Sequence, residues 1–362
     1  MTAKRQKRTV ATLLVGLLAT APVVAQPVER VIVVTLDGMR WQEIFGGADR
    51  GLIVGPDGGV HDSSRTLARF WRPDVAERRK ALLPFLTGTI ATRGLLLGDS
   101  VAGSEFRVTN GHRFSYPGYN ELFTGASDGR IASNDKTPNP NVSVLEWLNS
   151  QPGFGGSVVV FGSWNVFPFI FNTDRSRLPV NAEGDAFPRG TGPIERAQNE
   201  MHGWLPELWK DERLDATTMA AALTTLRTRR PRVLAVLLGE TDEWAHDRRY
   251  DLYLDAAHRS DKFIEQLWTT AQSMAEYRGR TSLIVATDHG RGLGREWSDH
   301  GDDVPAAERI WMAVMGPRVR PDSRLRTQSG TQSQFAATIA RLVGKDWQTA
   351  RADAASPLTL VH

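Results

Sequence analysis

Cysteine is missing altogether from this chain of 362 residues. Its absence rules out disulfides, thiolate metal sites and cysteine nucleophiles together, so any bound metal has to be held by carboxylate and imidazole. No charge of either sign dominates, because 44 basic against 41 acidic side chains leave a formal +3. Four of the basic groups, Lys4, Arg5, Lys7 and Arg8, stand at the very start, and without them the remainder is close to −1. The pI of 9.3 therefore owes much to a few terminal residues, and general binding to nucleic acid is not expected. Long apolar runs are lacking too: the stretch Val10 to Val24 falls short of the roughly 20 residues that span a bilayer comfortably. The chain carries no internal repeat and no low-complexity tract.

What stands at the N-terminus is a basic start, an uncharged apolar stretch and the small residues Val23, Val24 and Ala25, the pattern a signal peptidase reads. Residues 1–25 are expected to be a signal peptide, and 26–362 one domain exported to the periplasm or secreted. With no cysteine beside the cleavage point a lipoprotein anchor is excluded, and no stable membrane anchor is expected after cleavage. A chain of this length buries enough surface to fold without covalent staples.

Val31 to Leu36 reads as a buried strand, short and β-branched, and Asp37-Gly38 follows it at once. Similar runs recur at 157–161, 233–238, 283–287 and 310–315. Between them lie helical patterns at 142–148, 216–227, 252–270 and 331–343. Continuous apolar strands alternating with helices predict an α/β three-layer sandwich with a mainly parallel central sheet. Two regions break the alternation. Residues 46–59 read as a glycine-rich loop, followed by a helix over 64–85. Residues 163–214, rich in Pro, Trp and Phe, read as an inserted cap over the sheet rim. Its aromatics Trp164, Phe167, Phe169 and Trp204 suit cap core more readily than stacking on a base or aryl group.

Ligands of such sheets collect at the carboxyl ends of strands, and Asp37, Asp242 and Asp288 each sit just beyond one. Asp242 and His246 are four apart, one face of a helix, and carboxylate and imidazole can serve one ion there. Asp288-His289-Gly290 leaves the 283–287 strand, and Asp299-His300-Gly301 follows after a glycine-rich loop. Ser115 lies in Ser-Tyr-Pro-Gly, a turn leading into a helix, where backbone amides can receive a phosphoryl group. A serine is a poor nucleophile until a neighbouring cation lowers its pKa. Each piece alone also suits a plain reading: Asp37, Asp242 and Ser115 as helix caps, His246 as a surface residue. Three Asp carboxylates and an alkoxide would repel one another in a dry site, and two divalent cations relieve that repulsion. No Gly-x-Ser-x-Gly surrounds Ser115, so a serine-protease arrangement is discarded.

The ordered set (strand-Asp, Ser-x-Pro, Asp-x-x-x-His, Asp-His-Gly, final His) resembles the alkaline phosphatase superfamily over residues 31–301. That resemblance implies one ion held by Asp242, His246 and His300, and a second surrounded by Asp37, Ser115, Asp288 and His289. It implies Ser115 as the catalytic nucleophile and two divalent ions, zinc first and manganese second, since the ligands suit both. The turn is similar to the Thr-Phe-Pro-Asn-His turn of nucleotide pyrophosphatase/phosphodiesterases, with Asn134 falling near their phosphate-binding asparagine. The short step from His289 to His300 instead resembles phosphopentomutase and cofactor-independent phosphoglycerate mutase. Sulfatases carry Ser/Cys-x-Pro-x-Arg, whereas Tyr119 stands here in place of the arginine.

These implications lead to an exported phosphoesterase acting on a small phosphate mono- or diester through a phosphoserine. A mutase-type phosphoryl transferase and a non-catalytic, metal-containing surface binding protein are the alternatives. Arg291 and Lys136 are candidate contacts to non-bridging phosphate oxygens.

Overall fold

A computed structural model describes residues 30–186 and 192–360; the expected signal peptide lies outside the described residues. The strands are β1 Arg30–Leu36, β2 Leu95–Leu97, β3 Phe106–Arg107, β4 Val158–Gly162, β5 Val180–Asn181, β6 Val233–Leu238, β7 Thr281–Ala286, β8 Arg309–Ile310, β9 Met312–Met315 and β10 Gly330–Thr331. Seven of them form one sheet in the order β2-β9-β7-β1-β6-β4-β5. The five from β7 to β5 run parallel, and β9 runs antiparallel to both its neighbours. The remaining three make a small separate sheet, β10-β3-β8.

Side chains alternate across the strands, so each face of the sheet carries its own core. Val31, Val33, Val160, Ala235 and Ile284 face one way, against the Ser115–Thr124, Val144–Ser150 and Gln334–Leu342 helices. Ile32, Val34, Val159, Leu234 and Val285 face the other, against Asp215–Thr228 and the long Tyr250–Ser273 helix. Each fully buried Val, Leu or Ile stabilises the fold by about 1.5–3 kcal/mol. Both layers are dense, and the architecture is the α/β three-layer sandwich that the apolar runs predict.

Several local expectations change. The segment 46–59 contains a helix, Arg50–Val54, capped by the Asp49 carboxylate. The helix read over 64–85 is broken in two, Ser63–Phe70 and Val75–Leu82, because Pro73 disfavours helix at Arg72. The run 310–315 divides between the two sheets at Trp311. The first part of 163–214 lies within the sandwich: Phe167 and Phe171 are core residues, and β5 is the edge strand of the main sheet. Trp204 is exposed. No helix among the described residues is long and apolar enough to cross a membrane.

Candidate metal centre and nucleophile

The parallel strands β7, β1 and β6 end on one rim and deliver Asp288, Asp37 and the Glu240–His246 helix side by side. Ser115 arrives from the first residue of its own helix, which is buried along its whole length. Two features fix that helix. The Glu121 carboxylate accepts hydrogen bonds from Thr109 N, Asn110 N, Asn110 Nδ2 and Ser333 Oγ, which anchors the chain leading to Ser115. Gly118 packs where a Cβ would lie 2.4 Å from the Asp288 carbonyl oxygen, so only glycine brings this helix against the end of β7.

The seven residues proposed as ligands converge. His289 Nε2 is 3.3 Å from Asp37 Oδ1, 3.6 Å from Asp242 Oδ1, 3.6 Å from Asp288 Oδ2 and 3.5 Å from Ser115 Oγ. On the outer side, His246 Nε2 is 3.0 Å from both Asp242 Oδ2 and His300 Nε2. His246 is half-exposed at the mouth, while Asp288 and His289 are fully buried. Two sets of donor atoms lie close enough to share an ion: Asp37, Asp288 and His289, and Asp242, His289 and His300. His289 belongs to both, and His246 reaches the second through Asp242 and His300. This grouping places His289 between the two sets rather than in one alone.

The chemistry of these atoms suits cations. His289 Nδ1 donates to the Gly290 carbonyl at 2.9 Å, which orients the ring and turns Nε2 inward. Nε2 faces the carboxylate oxygens of Asp37, Asp242 and Asp288. Asp37 Oδ1, Asp288 Oδ2 and His300 Nδ1 are buried and have no hydrogen-bond partner. Buried groups of this kind are rare unless a charge or ion completes them. Burial and the Asp242 carboxylate push Asp37 well above the usual carboxylate range, and burial with Asp37 does the same to Asp288. Burial works on Asp242 too, but the Arg291 guanidinium and His246 hold its carboxyl well below that range. Burial and His289 push the His300 imidazole down to about 2. Divalent cations fit this donor set.

Arg291 has a different place from the one expected. It is completely buried behind Asp242, not at the mouth. Its guanidinium contacts the Asp242 carboxylate and the Ser298 carbonyl closely, and Nε donates to the Gly38 carbonyl at 3.2 Å. It therefore ties together the loops after β1, β6 and β7 rather than offering donors to a substrate. Gly38, at φ +55°, completes the junction, since a Cβ there would lie 2.5 Å from Asp242 Oδ1. Its N–H donates to Asp288 Oδ1 at 3.1 Å.

Asn134 and Lys136 lie along the nucleophile's helix. Asn134 Oδ1 accepts the Tyr116 N–H at 3.0 Å. Pro117 has no N–H and Gly118 N bonds Phe114 O, so Ser115 keeps the first-turn N–H without an acceptor among the described residues. The amide cradle expected at this terminus is thus narrower, with Asn134 standing in it. Lys136 Nζ is engaged 3.2 Å from Asp211 Oδ1, which also receives Asn165 Nδ2 at 2.9 Å.

One acid near the centre escapes sequence reading. Glu212 is buried against Gly239, and burial with the neighbouring Glu243 and Asp215 pushes its carboxyl well above the usual range. Its signal in the sequence is weak, since a lone Glu in an irregular segment has no motif partner.

No protein-family model matches the sequence, and no curated protein does. Solved structures do share the fold. The alkaline phosphatase PafA superposes with a TM-score of 0.55 at 10% identity, over 88% of this chain and 96% of its own. A phosphonate monoester hydrolase from Silicibacter pomeroyi also gives 0.55, at 12% identity over 91% and 75%. A protein of the alkaline phosphatase superfamily from Vibrio parahaemolyticus gives 0.51, at 14% identity over 89% and 67%. At these identities the likeness is one of fold, and the fold is that of the alkaline phosphatase superfamily.

Proposed function

We propose that this chain is an exported two-metal phosphoesterase that hydrolyses phosphate mono- or diesters through a covalent phosphoserine on Ser115. One observation carries the reading: Ser115 Oγ stands 3.5 Å from His289 Nε2, amid the carboxylates of Asp37, Asp242 and Asp288, and Asp37 Oδ1 and Asp288 Oδ2 are buried without a hydrogen-bond partner. Asp37, Ser115, Asp242, His246, Asp288, His289 and His300 would hold the ions. Divalent cations bound there supply positive charge to the phosphoryl oxygens and lower the pKa of a nearby hydroxyl.

The chain's own residues account for the rest. Ser115 Oγ forms the bond to phosphorus while the ester oxygen leaves on the opposite side and takes up a proton. Water then cleaves the Ser115 phosphoester, releasing phosphate or a monoester and restoring the hydroxyl. The Ser115 N–H and the Asn134 side chain flank the place where phosphoryl oxygens would sit, donors of the kind that stabilise developing charge. Glu121 and Gly118 hold the nucleophile in register with Asp288, and Arg291 holds Asp242. Tyr119 is buried with its hydroxyl 3.3 Å from Thr35 Oγ1, which leaves the sulfatase arginine without an equivalent there.

The test is Ser115→Ala assayed on 4-nitrophenyl phosphate and bis(4-nitrophenyl) phosphate, with metal content measured in parallel. Turnover should fall by about a thousandfold or more while the ions are retained, and wild type quenched during turnover should carry a phosphate on Ser115. Full activity in Ser115→Ala would reject the nucleophile. Phosphosugar isomerised without phosphate release would favour the mutase alternative.

A further inference from the structure

At the end of the sheet opposite the metal centre, three separate segments converge on a basic cleft. A cavity of about 500 Å³ is lined by Arg318 from the chain after β9, by Arg341, Lys345, Asp346 and Gln348 around and beyond the end of the Gln334–Leu342 helix, and by Ser356. A smaller cavity of about 310 Å³ shares Arg318 and Arg341 with it and is walled by Leu342, Leu358 and Leu360. Lys345 places the cleft in the fold. Its Nζ lies 5.8 Å from the Phe154 ring, which also carries the Arg232 guanidinium at 3.9 Å. Arg232 immediately precedes β6, and the Glu240–His246 helix follows the other end of that strand. A strand of six residues spans roughly 20 Å, so the cleft is a site apart from the reaction centre.

The charges of the cleft are not compensated within the protein. Several surface arginines elsewhere pair with a nearby acid, as Arg130 does with Asp128, Arg175 with Glu146 and Arg324 with Asp322. Arg318 and Arg341 have no ion pair and no side-chain hydrogen bond among the described residues, and Lys345 has only the aromatic ring. Arg341 is exposed and Arg318 and Lys345 are half-buried, so a ligand entering the cleft meets all three. The acid on the wall, Asp346, is held by its own backbone, accepting the Gln348 N–H at 3.0 Å. Cations in the last turn of a helix complement its dipole, which accounts for Arg341 and Lys345 but not for Arg318, brought in from another segment. Like charges gathered around one space repel, and an anion relieves that repulsion.

We infer that this cleft binds a small multivalent oxyanion, inorganic phosphate or a compound bearing a phosphate group. Three cations against one carboxylate leave a net charge that a dianion matches and a monovalent ion does not. Two guanidinium forks fit the oxygens of a phosphate group. Gln348 Nε2 lies 3.5 Å from Ser356 Oγ, which leaves the serine proton to donate to the same ligand. A concave space suits a small anion better than a flat bilayer, and the leucine-walled extension takes an organic group carried on it.

Inorganic phosphate titrated calorimetrically into the zinc-loaded protein, into Arg318→Gln and into Arg341→Gln tests this. Wild type should take up phosphate in the cleft, and each variant should weaken that event at least about tenfold with hydrolysis of 4-nitrophenyl phosphate unchanged. Two variants on different segments guard against one that misfolds. Phosphate affinity and stoichiometry left intact by both substitutions together would overturn the inference. Vesicles of phosphatidylglycerol and of phosphatidylcholine form the second arm. Binding to the anionic vesicles without uptake of free phosphate would overturn the pocket in favour of a membrane-facing surface. Phosphate uptake that both variants lose, in a protein that hydrolyses no ester, would uphold this site and reject the phosphoesterase reading, on which it does not depend.

Discussion

Replacing Arg291 by Met tests how the centre is held together. Arg291 is fully buried and pairs with the Asp242 carboxylate, while its nitrogens also bond the Gly38, Ser298 and Asp242 carbonyls. Methionine matches the length of the stem but removes the guanidinium donors from Asp242 Oδ1 and from three carbonyls. Breaking a buried charge pair from one side costs about 3–5 kcal/mol, and each stranded carbonyl adds to this. A loss of about 4 kcal/mol, roughly a thousandfold in the folding equilibrium, is expected when the protein has been stripped with a chelator. With saturating zinc the loss should shrink, because cations then neutralise Asp242 from the other side. Urea unfolding followed by tryptophan fluorescence, with and without zinc, reads both values. Arg291→Lys should recover only part of the loss, since an ammonium cannot reach Gly38, Ser298 and Asp242 at once. A loss below about 1 kcal/mol in stripped protein, or equal losses in both conditions, would refute this role.

Three other outcomes follow from particular contacts. Gly38→Ala should weaken zinc binding and lower turnover by at least about tenfold, because its Cβ would press on Asp242 Oδ1 from a left-handed backbone; metal titration of an otherwise folded variant checks it. Asp215 is buried beneath the same rim, accepting from Ser163 Oγ, Gly239 N and Glu240 N, and burial with the Glu240 carboxylate pushes it up to about 7. A folded pKa above the unfolded one gives stability that is present below about pH 4 and is lost as pH rises through 7. Asp215→Asn should therefore gain on wild type by a few kcal/mol between pH 4 and pH 8, and a constant gap between the two unfolding curves would contradict that. Finally, Asn134→Ala should reduce turnover by about ten- to a thousandfold with zinc content unchanged; loss of zinc instead would make Asn134 a structural cap only.

The central strands were legible because buried parallel strands are continuous β-branched runs, and β1, β4, β6 and β7 carry such runs. The edge strands β2 and β5 and the small sheet were not, because ladders of two or three residues have no period to read. Five of the seven expected ligands follow a strand or sit on one helix face, which is why order alone could gather them. Arg291 and Glu212 could not be placed that way. The role of Arg291 exists only where three loops meet, and that of Glu212 depends on its burial against Gly239. The broken helix at Pro73 and the N-cap at Asp49 were local signals present in the sequence and overridden by a coarser pattern.

The most direct measurement is the number of divalent ions each folded chain retains, determined by plasma mass spectrometry after equilibration with micromolar free zinc. Wild type should hold two, and Asp288→Asn and Asp242→Asn should each hold no more than one, as expected of the two donor sets that meet at His289. A wild-type chain that retains no zinc, with ester hydrolysis indifferent to chelation, would contradict the two-metal centre.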